Sequence, residues 1–85
     1  FHMPDAAERW DIWQAHLPAG HALAEDFLKE VVGRCALSGS QIRGAVLHAA
    51  LLALQAGRPL ERDFVTQAIQ REYRKVGAVC PLRAG

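Results

Sequence analysis

Apolar positions along this chain recur at intervals of three and four, the spacing that gathers side chains on one side of an α-helix. They first do so at Ala6, Trp10, Trp13 and Leu17, after Pro4 and Asp5, which suit a first helical turn, and before Pro18 and Gly20, which stop one. A second stripe of Arg9, Ile12 and His16 lies about 100° round the same helix. It mixes charge with apolar surface and is expected to face something other than the bundle interior.

The next helical spacing joins Phe27, Leu28, Val31, Val32 and Cys35, with Asp26 placed to cap it and an end expected between Gly33 and Ala36. Ser38 then caps the longest apolar run, from Ile42 through Ala45, Val46, Leu47, Leu51 and Leu54 to Ala56, closed by Gly57. A helix apolar almost all round belongs at the centre of a bundle, so an aspartate at either Val46 or Leu51 is expected to unfold it. A fourth helix starts between Pro59 and Asp63, with Val65, Ala68, Ile69, Glu72 or Tyr73, and Val76 inward and Gln67, Gln70, Arg71, Arg74 and Lys75 outward. The expected fold is all-α, a small four-helix bundle over residues 1–77. Residues 78–85, with Pro81 and no periodicity, form a tail that is frayed or loosely docked.

Composition narrows the picture. A chain of 85 residues is one small domain that buries only about 60% of its unfolded surface, so a larger partner surface is expected. Hydrophobic residues make up 51% and aromatics only 7%, the surplus being Ala and Leu, which favour helices. The central apolar run, about 15 residues, falls short of the roughly 20 that span a bilayer. A formal charge of +1 lacks the basic balance that phosphate-backbone binding demands, so nucleic acid is unsupported as a partner. Cys35 and Cys80 stand far apart with no CxxC pairing, and a cytoplasmic location is the default. Phe1 opens on patterned sequence without an initiator Met, as expected of an excised fragment, and His2-Met3 is taken as native sequence and not a cloning scar.

Candidate chemistry is sparse. Ser38 and Ser40 sit at a helix start, and the nearest histidine in sequence, His48, is a turn or more down the helix, so no nucleophile and base can be paired. His16, His21 and His48 with Cys35 and Cys80 lack metal-ligand spacing. The informative stretch is Leu37-Ser38-Gly39-Ser40-Gln41-Ile42-Arg43, a small-residue turn feeding a long helix. Free backbone N–H groups, a positive dipole end and close backbone approach suit such a turn to a nucleotide, although Ser-Gly before a helix is more often a simple cap.

Four features stand in order: Phe1-x-x-Pro4; Arg9-x-x-Ile12-x-x-x-His16; Ser38-Gly39-Ser40-Gln41-Ile42 leading an Ala-rich helix; and a closing helix with Ala68. Together they resemble, over almost the whole chain, the C-terminal helical lid subdomain of AAA-type ATPases. Trp13-x-x-His16-Leu17-Pro18 and Arg71-Glu72-Tyr73-Arg74-Lys75-x-Gly77 resemble bacterial members in particular. The resemblance implies a parent ATPase in which a large α/β subdomain of the same chain holds the phosphates and Mg of ATP or ADP. The lid contributes adenine contacts from Ile12, His16, Gly39 and Ser40 and meets neighbouring subunits of a homo-oligomeric ring, expected to be a hexamer. It implies ATP-driven remodelling of macromolecules by the parent and no catalysis by this segment alone, which has no phosphate-binding loop. Gln41 departs from the pattern, standing where wider relatives carry a γ-phosphate-sensing arginine and the strict group commonly carries an acid. Arg43 lies about 200° round the helix from it and is expected to be a subunit-contact or solvated residue.

Two other classes compete. Short helices joined by a Ser-Gly turn, with Arg71, Arg74 and Lys75 as a basic patch, also fit a helical DNA-binding module, but the helix after that turn is too apolar to read a groove. A protein-interaction bundle using an exposed Trp and the tail is the third.

Overall fold

The structure is a computed structural model that describes residues 3–82. Among these residues there are four helices and no strand: α1 (Ala6–His16), α2 (Glu25–Arg34), α3 (Gly39–Ala56) and α4 (Arg62–Lys75). Local chemistry sets most of the ends. Asp5 caps α1 in a capping box, its carboxylate accepting from Glu8 N while Glu8 accepts from Asp5 N. Ser38 and Gln41 do the same for α3. Gly57, at φ +68°, closes α3 in the left-handed conformation, its N–H donating to the carbonyls of Ala53 and Leu54. For α2 the expected cap is corrected: Ala24 holds that position without a side-chain bond, and Asp26 lies inside the first turn, where an acid still favours the positive end of the helix.

At about 1.5 Å per residue the 18-residue α3 is about 27 Å long, most of the 37 Å long axis of the molecule. It packs most extensively on α4 and next on α1, while α2 packs on α1. Trp13, Phe27, Leu28, Val31, Ile42, Val46, Phe64, Val65 and Ile69 fill the core, with Ala45, Ala49, Ala53 and Ala68 keeping the buried faces of α3 and α4 slim. Where α3 meets α4, Gly44 faces the buried carboxylate of Glu72, which Lys75 Nζ pairs at 2.9 Å. Ala22 N donates to Leu60 O at 2.8 Å, tying the α1–α2 connection to the α3–α4 connection.

Three expectations about burial are corrected. α3 is not buried on every side, because Leu47, Leu51 and Leu54 are 63%, 49% and 78% exposed along one outward stripe. An aspartate at Leu51 therefore enters water and not the core. Val76 points outward at the end of α4, and the buried positions there are Glu72 and, in part, Tyr73. No exposed Trp exists among the described residues: Trp13 is fully buried and Trp10 packs partly on the core. In the tail, Val79 is exposed while Cys80 packs against the core and Leu82 is buried.

Candidate functional site

The expected site lies where the second stripe of α1 meets the head of α3. Ile12, half-buried, packs against the core, and a Cβ placed on Gly39 would stand 3.8 Å from Ile12 Cδ1. Gly39 thus lets the α3 N-terminus come directly against α1, beside Ile12. His16 is exposed in the last turn of α1, one turn beyond Ile12 on the same stripe, where a basic residue complements the negative helix end. Ser40 is exposed, its Oγ 3.3 Å from Ser38 Oγ. Among the described residues no hydrogen bond links His16 to the turn around Ser38.

The capping box decides which donors this helix head offers. Gln41 N donates to Ser38 Oγ at 3.2 Å, and Ser38 N donates to Gln41 Oε1 at 2.8 Å. Gln41 is therefore occupied in holding the turn, which accounts for a residue matching neither the arginine nor the acid of the resembled pattern. The motif Ser-x-x-Gln was visible in the sequence as a capping-box signature. What remains outward at the head of α3 are the first-turn N–H groups of Gly39 and Ser40, which have no acceptor within the helix. Two N–H donors at a positive dipole end, beside an apolar Ile12 surface, can hold one polar edge and one flat apolar face of a ligand.

Arg9, the third member of the stripe, does something the sequence did not disclose. Its Nε donates to Val32 O at 3.0 Å and its Nη1 to Pro4 O at 2.9 Å, so it clamps the start of α1 to the end of α2. No sequence signal marks this, because both acceptors are backbone carbonyls.

The remaining polar features lie elsewhere. Arg58 pairs with Asp63 at 2.9 Å and Glu61 at 3.4 Å and sits over the Phe64 ring at 4.6 Å, while Arg62 sits over the Phe27 ring at 5.1 Å. The Cys35 thiol is pushed up to about 11, first by burial and then by Cys80 nearby, against a hydrogen bond with the Tyr73 hydroxyl. The Tyr73 hydroxyl is pushed up as well, by burial and then by the two cysteines. Charge divides along the chain: six acids against two bases precede residue 33, and eight bases against three acids follow. Among the described residues no group of three His, Cys, Asp or Glu could hold a metal ion, and no helix is long and apolar enough to cross a membrane.

The family model of the contractile injection system ATPase helical domain matches residues 5–80, from the cap of α1 to the docked tail. No curated protein and no solved structure matches the chain.

Proposed function

Because the chain belongs to the contractile injection system ATPase helical domain family, we propose that it is the lid of that ATPase, closing over the adenine side of ATP or ADP. The single observation that carries this is the seating of Gly39 against Ile12, which sets an apolar surface beside unused backbone donors at the head of α3. Ile12 packs on the base, the N–H groups of Gly39 and Ser40 meet its polar edge, and His16 stacks or hydrogen-bonds beside it. Mg and the phosphates are held by a large α/β subdomain of the same chain, to which hydrolysis belongs. The lid then moves as a body with nucleotide state, within a ring of subunits expected to be hexameric, and so couples ATP turnover to remodelling of macromolecules.

The leucine stripe of α3 supports the partner part of the proposal. Leu47, Leu51 and Leu54 form an exposed apolar surface, a kind that marks protein contacts, and the large subdomain or a neighbouring subunit is its proposed occupant. The same stripe weighs against DNA reading, since the helix after the Ser-Gly turn presents leucines outward where a groove needs polar side chains.

The test uses the intact ATPase. His16→Ala and Gly39→Val each weaken ATP and ADP alike, by roughly tenfold for a lost contact of about 1 to 2 kcal/mol. A defect confined to ATP would place these residues near the γ-phosphate and overturn the assignment. Unchanged affinity for both nucleotides, with the fold intact by circular dichroism, would remove the adenine site altogether.

A further inference from the structure

The exposed leucines of α3 are arranged as one helix needs them in order to receive another. Leu47, Leu51 and Leu54 are spaced by four and then three residues, within about 60° of one another round the helix, the alternation by which two helices seat their side chains between each other. Ala50, half-buried, stands at the edge of the stripe and is small enough to let a second backbone come close. Charge differs at the two ends. Arg43, one turn before Leu47 and on the same side, is exposed and enters no ion pair among the described residues, and α3 itself holds no acid. At the other end, just past Gly57, Arg58 is held by Asp63 at 2.9 Å and Glu61 at 3.4 Å, so that cluster sets two carboxylates against one cation.

We propose that this stripe pairs with the same stripe of a second copy of the chain, the two α3 helices running antiparallel about a two-fold axis between Ala50 and Leu51. In that register Leu47 faces the partner copy's Leu54 and Leu51 faces the partner copy's Ala50, so each leucine meets an apolar residue. Arg43 comes level with the partner copy's Arg58, Glu61 and Asp63 and meets the surplus carboxylate there. The helix dipoles then oppose each other. A parallel pair would instead set Arg43 against Arg43 and like dipole ends side by side, so charge selects the antiparallel arrangement. Three leucines spread over about 10 Å of helix cover less than the roughly 800 Å² that a standard interface takes from each partner, which makes the pairing weak and concentration-dependent. The proposal rests on the partner reading of the stripe given above, narrowing its occupant to a copy turned end for end, and is independent of the adenine site.

Sedimentation velocity of the chain, from about 10 μM to about 1 mM in low-salt buffer, tests this. The expected mass is 9.3 kDa at the dilute end and climbs towards twice that value, with half-association near about 0.1 mM. Leu51→Asp, which places two carboxylates at the axis, stays monomeric throughout, while its circular dichroism in dilute solution matches the parent and shows the fold intact. Arg43→Glu weakens association by roughly tenfold or more, and Glu61→Lys added to the same chain recovers most of the loss, because the swapped charges attract again and Asp63 still holds Arg58. A parent chain that remains monomeric at about 1 mM overturns the proposal, as does association that Leu51→Asp or Arg43→Glu leaves unchanged. Should the chain stay monomeric while His16→Ala still weakens nucleotide binding in the intact ATPase, the self-pairing fails alone and the stripe passes to the large subdomain.

Discussion

Gly44 meets Glu72 at a distance that makes its missing side chain measurable. A Cβ there would stand 3.5 Å from Glu72 Oε2, an ordinary contact, while glycine inside a helix costs about 1 kcal/mol relative to alanine. Gly44→Ala should therefore stabilise the chain by about 0.5 to 1 kcal/mol in urea denaturation. A loss instead would mean that the added methyl desolvates the Glu72–Lys75 pair more than helix propensity returns. Cys35 gives a second measurement, in pH. Its thiol binds its proton more tightly in the folded state, where it is pushed from 9.0 to about 11, than in the unfolded chain. The stability it contributes is complete below about pH 9 and lost as pH rises towards 11, and Tyr73, raised in the same direction, adds to the slope. Melting temperatures recorded from pH 8 to 11 should fall more steeply for the parent than for Cys35→Ala. Equal slopes would show that the buried thiol does not control this limb.

The elements differ in how far the sequence disclosed them. Their number, order and approximate ends follow from apolar spacing plus Ser38, Gly57 and Pro18, because capping and chain reversal are local chemistry. The outward side of α3 differs from the sequence expectation because leucine at a position says nothing about whether a neighbour covers it. The direct consequence is a contrast within one helix: Val46→Asp, which puts a charge in the core, should abolish the cooperative melt, whereas Leu51→Asp should keep it at a cost of about 1 kcal/mol. Similar losses for both would mean that the leucine stripe is covered in solution. At the candidate site, Ile12 and Gly39 lie against each other, a contact that the spacing of the two segments did not disclose. The clamp made by Arg9 emerged only once carbonyl positions were known, whereas the occupation of Gln41 by its own capping box had a signature in Ser38-x-x-Gln41.

For the molecule as a whole, the proposed lid role, with contact to only one side of a nucleotide, predicts weak binding. Titrating ATP into the chain alone, followed by calorimetry or amide shifts, should give an affinity near the millimolar range, about 4 kcal/mol, with no turnover. Micromolar binding would mean that a complete phosphate site is present here. The division of charge described above, acids mainly before residue 33 and bases mainly after it, acts at this scale too. A net charge of +1 describes a molecule with little average attraction to anything, yet the two parts of its sequence carry opposite signs. In dilute buffer the same protein should be retained by both anion-exchange and cation-exchange resins, the first gripping the acid-rich early helices and the second the base-rich later part of the chain. Both interactions should vanish at about 0.15 M salt, where the screening length falls to about 8 Å.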